Sequence, residues 1–198
     1  MAYDKTWAIN WLNQFCDQIN ENKQLLSDLD QAIGDGDHGF NMARGATELK
    51  KVLAEKEPDS LKDVFKTAGM TLVSKVGGAA GPLYGTAFLS ISKAIEGDTI
   101  SPEDLAKVIE AGQEGIEKRG KSHAGEKTML DVWEPVVNSL HQDELSDDVV
   151  EAALQKTKDI KATKGRASYL GERSIGHLDP GAYSSALLFH TMLETEVD

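Results

Sequence analysis

The chain has few of the features that mark secreted or membrane-spanning proteins. Its 198 residues include one cysteine, Cys16, so an intramolecular disulfide is excluded. Cys16 falls on the apolar face of the first predicted helix, where cysteine acts as a small core residue. There is no apolar run of about 18 residues, and residues 1–6 lack the basic region and apolar core of a signal peptide. These absences indicate a cytoplasmic protein with no membrane partner.

Positive charge and aromatic residues are also scarce. Lys and Arg number 21 against 33 Asp and Glu, which gives a formal net charge of −12. Because nucleic acids and anionic membranes attract basic surfaces, neither is predicted as the main partner. Aromatic residues make up only 6%, yet hydrophobic residues reach 40%, which suits one globular domain with a sizeable core. An acidic protein of this kind needs local cations to bind a phosphorylated ligand.

Helical periodicity dominates what is present, and no segment is typical of a β-strand. Apolar residues recur every third or fourth position between the turns, which predicts amphipathic helices. We predict an all-α fold in which residues 1–198 form one domain of about eight antiparallel helices. Ser60, Ser101 and Asp179 are predicted N-caps of helices. Residues 163–181 show no period and contain several glycines, which predicts a long loop that is either functional or disordered.

Residues 30–41, with the sequence DQAIGDGDHGFN, carry the clearest functional signal. Asp30, Asp35 and Asp37 lie close together with no cation among them, and the glycines predict tight turns in place of a regular helix. Crowded carboxylates repel one another unless a metal or a proton intervenes. All-oxygen sites suit hard divalent cations such as Mg²⁺ or Ca²⁺. We therefore predict a metal site, although a solvated turn between two helices remains an alternative.

Three familiar motifs match the sequence only superficially. Residues 34–39 fit the dinucleotide pattern G-x-G-x-x-G, but no strand precedes them. An EF-hand loop starting at Asp35 would place Gly39 and Ala46 where ligands are needed. Residues 115–122 fit the Walker A pattern, but they follow a helix and place Glu117 inside the phosphate cradle. For residues 115–122, a basic helix C-terminus that ends at Gly120 is the better interpretation.

Other segments could contact an anion. Residues 77–82, GGAAGP, precede a helix and could either expose backbone N–H groups to an anion or allow close helix packing. Arg166 and Arg173 could each contact a phosphate or a carboxylate, or be solvated. His38 could be a general base, a hydrogen-bond donor to phosphate or a neighbour of the metal. Phosphoryl transfer is the chemistry that fits this combination best.

Residues 33–39, 74–85 and 165–181 together resemble one family. It is the nucleotide-binding L subunit of dihydroxyacetone kinase in the form that depends on the phosphoenolpyruvate phosphotransferase system, the DhaL family. The resemblance extends over nearly the whole chain and implies a barrel of eight helices with a nucleotide at one end. Ala80 is a departure, because the family often has serine there, which puts a side-chain contact to phosphate in doubt.

The resemblance also implies a set of site residues. Asp30, Asp35 and Asp37 would be ligands for two Mg²⁺ ions. No residue is firmly assigned as catalytic, although His38 and Arg166 would position phosphates. The implied nucleotide contacts come from His38, Gly39, Asn41, Gly78, Ala79, Ala80, Gly120, Thr128, Met129, Arg166, Asp179, Pro180 and Gly181.

The family's activity implies both a resident nucleotide and partner proteins. ADP would stay bound and be rephosphorylated to ATP by a phosphohistidine of an M subunit. The γ-phosphate would then pass to dihydroxyacetone held on a K subunit. The same fold serves as a domain of ATP-dependent dihydroxyacetone kinases and of fatty acid kinases, and a chain that ends at Asp198 favours the free subunit. A non-catalytic Mg-nucleotide regulatory protein and a homodimeric assembly remain open alternatives.

Overall fold

A computed structural model describes residues 2–197, and within them the only β-type pairing is an isolated bridge between Tyr3 and Ile100. The all-α prediction is therefore confirmed for this part of the chain. Residues 2–197 contain nine α-helices, where about eight were predicted for the chain. Their bounds are α1 Lys5–Glu21, α2 Lys23–Ile33, α3 His38–Lys56, α4 Leu61–Lys75, α5 Ala80–Ala94, α6 Pro102–Gly120, α7 Leu130–His141, α8 Asp147–Lys156 and α9 Pro180–Glu194, and the 3₁₀ segments are Thr157–Asp159 and Arg166–Ser174.

The helices form a closed ring around a single main core. From α3 to α9 each helix packs against the next, α9 packs against α1, and α1 packs against α3 and α4. The apolar stripes seen in the sequence face inward, and the largest fully buried side chains include Trp11, Trp133, Phe65 and Phe88. Burying a side chain of this size stabilises the fold by about 1.5–3 kcal/mol. Cys16 is fully buried in the same core, as predicted.

The predicted helix N-caps are present. Ser60 Oγ accepts a hydrogen bond from the N–H of Asp63 at 3.1 Å, and Asp179 Oδ2 accepts one from the N–H of Ala182 at 2.8 Å. Ser101 Oγ likewise accepts from the N–H of Asp104 at 3.2 Å. Each cap satisfies a backbone donor that the first turn of a helix leaves unpaired. Cap signals in the sequence therefore located these helix starts correctly.

Two segments are more regular than predicted. Of residues 30–41, only 34–37 lie outside a helix, because α2 continues to Ile33 and α3 begins at His38. The Asp30 carboxylate accepts the N–H groups of Asp37 and His38, which lets a new helix start directly after the turn. The predicted long loop contains the 3₁₀ segment Arg166–Ser174, and Gly165 and Gly171 supply the positive φ angles that bend the chain there.

No helix within residues 2–197 combines the length and the apolar character needed to cross a membrane.

Candidate functional site

A cavity of about 630 Å³ opens between four connections of the ring, namely those that join α2 to α3, α4 to α5, α6 to α7 and α8 to α9. These are alternate connections along the chain, so in a ring of up-and-down helices they meet at the same end. Every metal and nucleotide contact implied by the family resemblance lines this cavity except Gly39. Gly39 lies beneath its wall, where a Cβ atom would collide with the backbone carbonyl oxygen of Lys23.

The three predicted metal ligands come together at one side of the cavity. Asp30, Asp35 and Asp37 each offer a carboxylate oxygen, and these oxygens lie within 4.8 Å of one another. Asp30 is buried at the end of α2, whereas Asp35 and Asp37 are exposed on the turn. Asp30 Oδ2 is held by the N–H of Asp37 at 2.9 Å and of His38 at 3.0 Å. The Asp30 carboxylate is thus held in place by the fold, whereas the exposed carboxylates of Asp35 and Asp37 can adjust their positions.

The electrostatics of this cluster favour a divalent cation. Burial raises the pKa of Asp30, and the neighbouring Asp35 carboxylate adds to the rise. Partial burial and the same Asp35 carboxylate raise the pKa of Asp37. Three carboxylates crowded in this way are stabilised by a hard cation, and Mg²⁺ accepts such all-oxygen surroundings. The donor set of this turn therefore fits the predicted metal.

The turn before α5 presents backbone donors to the cavity. Gly78 has a positive φ of 67°, and α5 starts at Ala80 with no side-chain cap at Ala79. The first N–H groups of α5 therefore lack side-chain acceptors, which is the arrangement that binds anions at helix N-termini. Gly81 also packs closely against the carbonyl of Val76, so the two interpretations of this segment are compatible.

Basic groups reach the cavity from several elements. Arg119 at the end of α6 and Lys164 line it, and Arg166 Nε lies 3.1 Å from Asp35 Oδ2. Arg166 is exposed and opens the 3₁₀ segment, whereas Arg173 does not line the cavity. In a chain of net charge −12, this local collection of cations supplies the positive charge that a phosphorylated ligand requires. The segment that resembles Walker A is the C-terminal part of α6, followed by Lys121 in the left-handed region.

The α6–α7 loop is held by buried polar groups that the sequence did not single out. Asp131 Oδ1 accepts the N–H of Gly125 at 2.6 Å, and Asp131 Oδ2 accepts the N–H of Thr128 at 2.7 Å. Lys127 is 1% exposed, and its Nζ donates to the carbonyl oxygens of Thr157 and His177. Lys127 therefore ties this loop to the α8–α9 connection. In the sequence it is one lysine in a polar loop, with no signal beyond its position next to Thr128.

Three further groups that line the cavity have pKa values displaced by burial. Burial raises the pKa of Asp179 to about 7, with the Asp131 carboxylate nearby adding to the effect. Burial also lowers the pKa of Lys127. The His38 ring packs at the base of the cavity, where burial lowers its pKa to about 4 and keeps it neutral at physiological pH.

The fold and the cavity define an all-α helical barrel with a carboxylate cluster and an uncapped helix start, that of α5, at one end. The chain belongs to the DhaL family of DAK2-domain proteins, since the family model described as "DAK2 domain" matches residues 32–194 and a DhaL protein is 80% identical to it. That relative is the "PEP-dependent dihydroxyacetone kinase 1, ADP-binding subunit DhaL" of Listeria innocua, aligned over 197 residues that cover 100% of both chains.

Two other relatives place the chain more broadly. The "PTS-dependent dihydroxyacetone kinase, ADP-binding subunit DhaL" of Lactococcus lactis is 53% identical over 187 residues, covering 94% of this chain and 95% of that one. The crystal structure of the dihydroxyacetone kinase from C. freundii in complex with AMP-PNP and Mg²⁺ matches with a TM-score of 0.75 at 23% identity. The match covers 99% of this chain and 35% of the C. freundii chain, and at this identity it supports the fold alone.

Proposed function

We propose that this protein is the ADP- and ATP-binding subunit of a phosphoenolpyruvate-dependent dihydroxyacetone kinase, and hence a phosphotransferase that needs partner subunits. One observation carries the proposal. In a chain 80% identical to a named ADP-binding subunit, the carboxylate cluster and the anion-binding turn face the same cavity. The cavity of about 630 Å³ is also of the size that encloses a nucleotide-sized ligand.

Different residues of the cavity would hold the metal and the phosphates of the nucleotide. Asp30, Asp35 and Asp37 would hold Mg²⁺, which would neutralise phosphate charge and polarise the phosphoryl group that is transferred. Three carboxylates can serve two ions when oxygens are shared, and we propose two. The N–H groups at the start of α5, in residues 78–80, donate to phosphate oxygens. Arg166 is placed to swing from Asp35 onto a phosphate.

The remaining predicted contacts enclose the base and the sugar. Gly120, Thr128 and Met129 line the cavity from the end of α6 and from the loop that follows it. The turn formed by Asp179, Pro180 and Gly181 at the start of α9 would help to close the pocket, whereas His38 and Asn41 from the first turn of α3 would lie near the phosphates. Gly39 contributes indirectly, since its lack of a side chain lets α3 approach α2.

The acceptor substrate is proposed to reside on a partner. The proposed metal, phosphate and nucleoside contacts account for the predicted site residues of the cavity. Asp35 and Asp37 are exposed, so another protein could approach the phosphate end of the nucleotide. We propose a K subunit that carries dihydroxyacetone and an M subunit whose phosphohistidine recharges ADP in place. Both encounters are proposed to take place in the cytoplasm.

The first experiment asks what the purified protein carries. Denaturing it and analysing the supernatant by ion-exchange chromatography should release ADP in about equimolar amount. The second mixes the protein with K and M subunits, phosphoenolpyruvate and the general phosphotransferase proteins, and measures dihydroxyacetone phosphate. Product formed from ATP alone, without the phosphotransferase proteins, would instead support an ATP-dependent kinase. Retained ADP without any turnover would support a regulatory nucleotide-binding protein.

A further inference from the structure

A chain of buried hydroxyl groups runs from the cavity into the core of the barrel. Trp133 Nε1 donates to Ser185 Oγ at 3.1 Å, and Tyr84 Oη lies 2.9 Å from Ser185 Oγ and 2.7 Å from Ser184 Oγ. Ser184 Oγ also lies 3.1 Å from the carbonyl oxygen of Gly181 and 3.0 Å from Nε2 of His38. Tyr84, Trp133, Ser184 and Ser185 are all fully buried, so water cannot replace these contacts. We call these four residues the hydroxyl chain.

The directions of these five hydrogen bonds follow from counting protons. A carbonyl oxygen only accepts, so the single hydroxyl proton of Ser184 points to Gly181. Tyr84 must then donate to Ser184, which leaves Ser185 to donate to Tyr84. The Trp133 N–H can only donate, and its acceptor is Ser185 Oγ. Every hydroxyl in the chain then donates once, and Ser184 Oγ has a lone pair left for His38.

One assignment of the His38 ring satisfies all five contacts. Because the proton of Ser184 is already used, the ring must donate through Nε2–H. A neutral imidazole carries one proton, so Nδ1 is then an acceptor. In residues 2–197, the buried side-chain atoms without a hydrogen-bond partner are Trp7 Nε1 and Gln113 Oε1. His38 Nδ1 is not among them and forms no hydrogen bond with the described residues, so it is accessible from the cavity that the ring lines.

We infer that Ser184, whose proton is directed to the carbonyl oxygen of Gly181, is a positioning residue that holds His38 as the Nε2–H tautomer and presents Nδ1 to the cavity as an acceptor. This inference refines the proposed function and rests on it only for the identity of the ligand. Because Nε2–H donates to Ser184 and Nδ1 carries no proton, a ring in this state has no donor left for a phosphate oxygen. His38 therefore accepts from an O–H or N–H donor, while the phosphates are contacted by the backbone of residues 78–80 and by Arg166.

The tautomer can be read directly by nuclear magnetic resonance. Long-range ¹H–¹⁵N spectra of histidine-labelled, ligand-free protein at pH 7.5 should show the His38 ring with Nε2 protonated and Nδ1 unprotonated. The proton on Nε2 should exchange slowly enough to be detected in a direct ¹H–¹⁵N spectrum. The His38→Asn variant identifies the resonances among the five histidines. A His38 ring protonated on Nδ1 would overturn the inference, whatever the variants below do.

Two neighbouring serines on α9 provide a matched comparison. Ser184→Ala removes the acceptor of His38, so the slowly exchanging ring N–H should disappear. Ser185→Ala removes a hydroxyl one residue away that touches Tyr84 and Trp133, so it should shift the Trp133 indole N–H and leave the His38 ring N–H in place. A protected ring N–H that persists in Ser184→Ala would contradict the role of Ser184. Because these spectra need no nucleotide, their outcome is independent of whether ADP is released from the purified protein.

Discussion

At the scale of single residues, Asp37 tests the proposed metal site. Asp37 is exposed beside Asp35, and its pKa is raised by partial burial and by that neighbour. Asp37→Asn removes one ligand and one repulsive charge. We expect the variant to lose ADP on purification and to lose the rise in Tm that Mg²⁺ and ADP give the wild type. A ligand at 100 times its Kd contributes about 2.7 kcal/mol.

The matched control for Asp37 is Asp28→Asn. Asp28 is an exposed carboxylate in α2 that accepts a hydrogen bond from Gln24 Nε2 and does not line the cavity. Differential scanning fluorimetry with and without Mg-ADP should show an unchanged shift for this control. A full Mg-ADP shift in Asp37→Asn would remove Asp37 from the metal site.

Asp179 has a separate consequence for the pH dependence of stability. Burial raises its pKa to about 7 in the folded protein, against 3.8 ordinarily. The folded state therefore keeps a proton that the unfolded state loses, and the stability from this group is complete below about pH 4 and lost as pH rises to about 7. Asp179→Asn retains an acceptor for the N–H of Ala182 but cannot titrate. Its free energy of unfolding relative to wild type should rise across this range, by at most about 4 kcal/mol.

Urea unfolding of metal-free protein between pH 4.5 and 7.5 measures this difference. Asp98→Asn, at an exposed carboxylate after α5, should follow the wild-type pH dependence throughout. If Asp179→Asn also followed the wild type at every pH, Asp179 would be ionised in the folded protein across this range.

At the scale of helices, the contact between α2 and α3 sets the shape of the metal turn. Replacing glycine by alanine inside a helix usually stabilises it by up to about 1 kcal/mol. At Gly39 a Cβ atom would collide with the carbonyl oxygen of Lys23, a backbone atom that cannot rotate away. We therefore expect Gly39→Ala to reverse the usual sign and to destabilise the protein by about 1–3 kcal/mol. Chemical unfolding measures it, with Lys51→Ala on the exposed face of α3 as the propensity control.

Helix boundaries show which signals a sequence carries locally. Ser60, Ser101 and Asp179 marked helix starts correctly because a cap needs only a partner three residues away. The turn predicted over residues 30–41 is shorter in the structure because the carboxylate that stabilises the start of α3, Asp30, lies seven residues before Asp37. The 3₁₀ segment Arg166–Ser174 was expected to be a loop, since its order depends on contacts with distant elements such as α2.

At the scale of the whole molecule, the cavity is assembled from segments far apart in the chain. Most of its wall could be predicted because the family resemblance covers those positions. The role of Lys127 could not be predicted, because its partners are the backbone carbonyl oxygens of Thr157 and His177. Every residue type has such a carbonyl group, so the sequence does not indicate the contact. The link between His38 and Ser184 spans 146 positions and is equally invisible without the fold. The residue types in the sequence predict which chemistry the site can perform, whereas the closure of the helical ring determines which side chains come into contact.

The alternation of connections around the ring predicts where ligand binding slows hydrogen exchange. The connections that line the cavity, around residues 34–37, 77–79, 121–129 and 163–179, meet at one end of the barrel. The other connections, around residues 57–60, 95–101 and 142–146, belong to the opposite end and contribute no residue to the cavity.

Adding Mg-ADP to nucleotide-free protein should therefore lower amide exchange in the first set, because opening of these segments would have to break ligand contacts. Exchange in the second set should slow only where it proceeds through global unfolding, so its fastest amides serve as an internal reference within the same sample. The Asp37→Asn variant should show neither change under the same conditions. Equal slowing at both ends would mean that the ligand tightens the whole barrel, and slowing only at the second end would place the nucleotide site elsewhere in the fold.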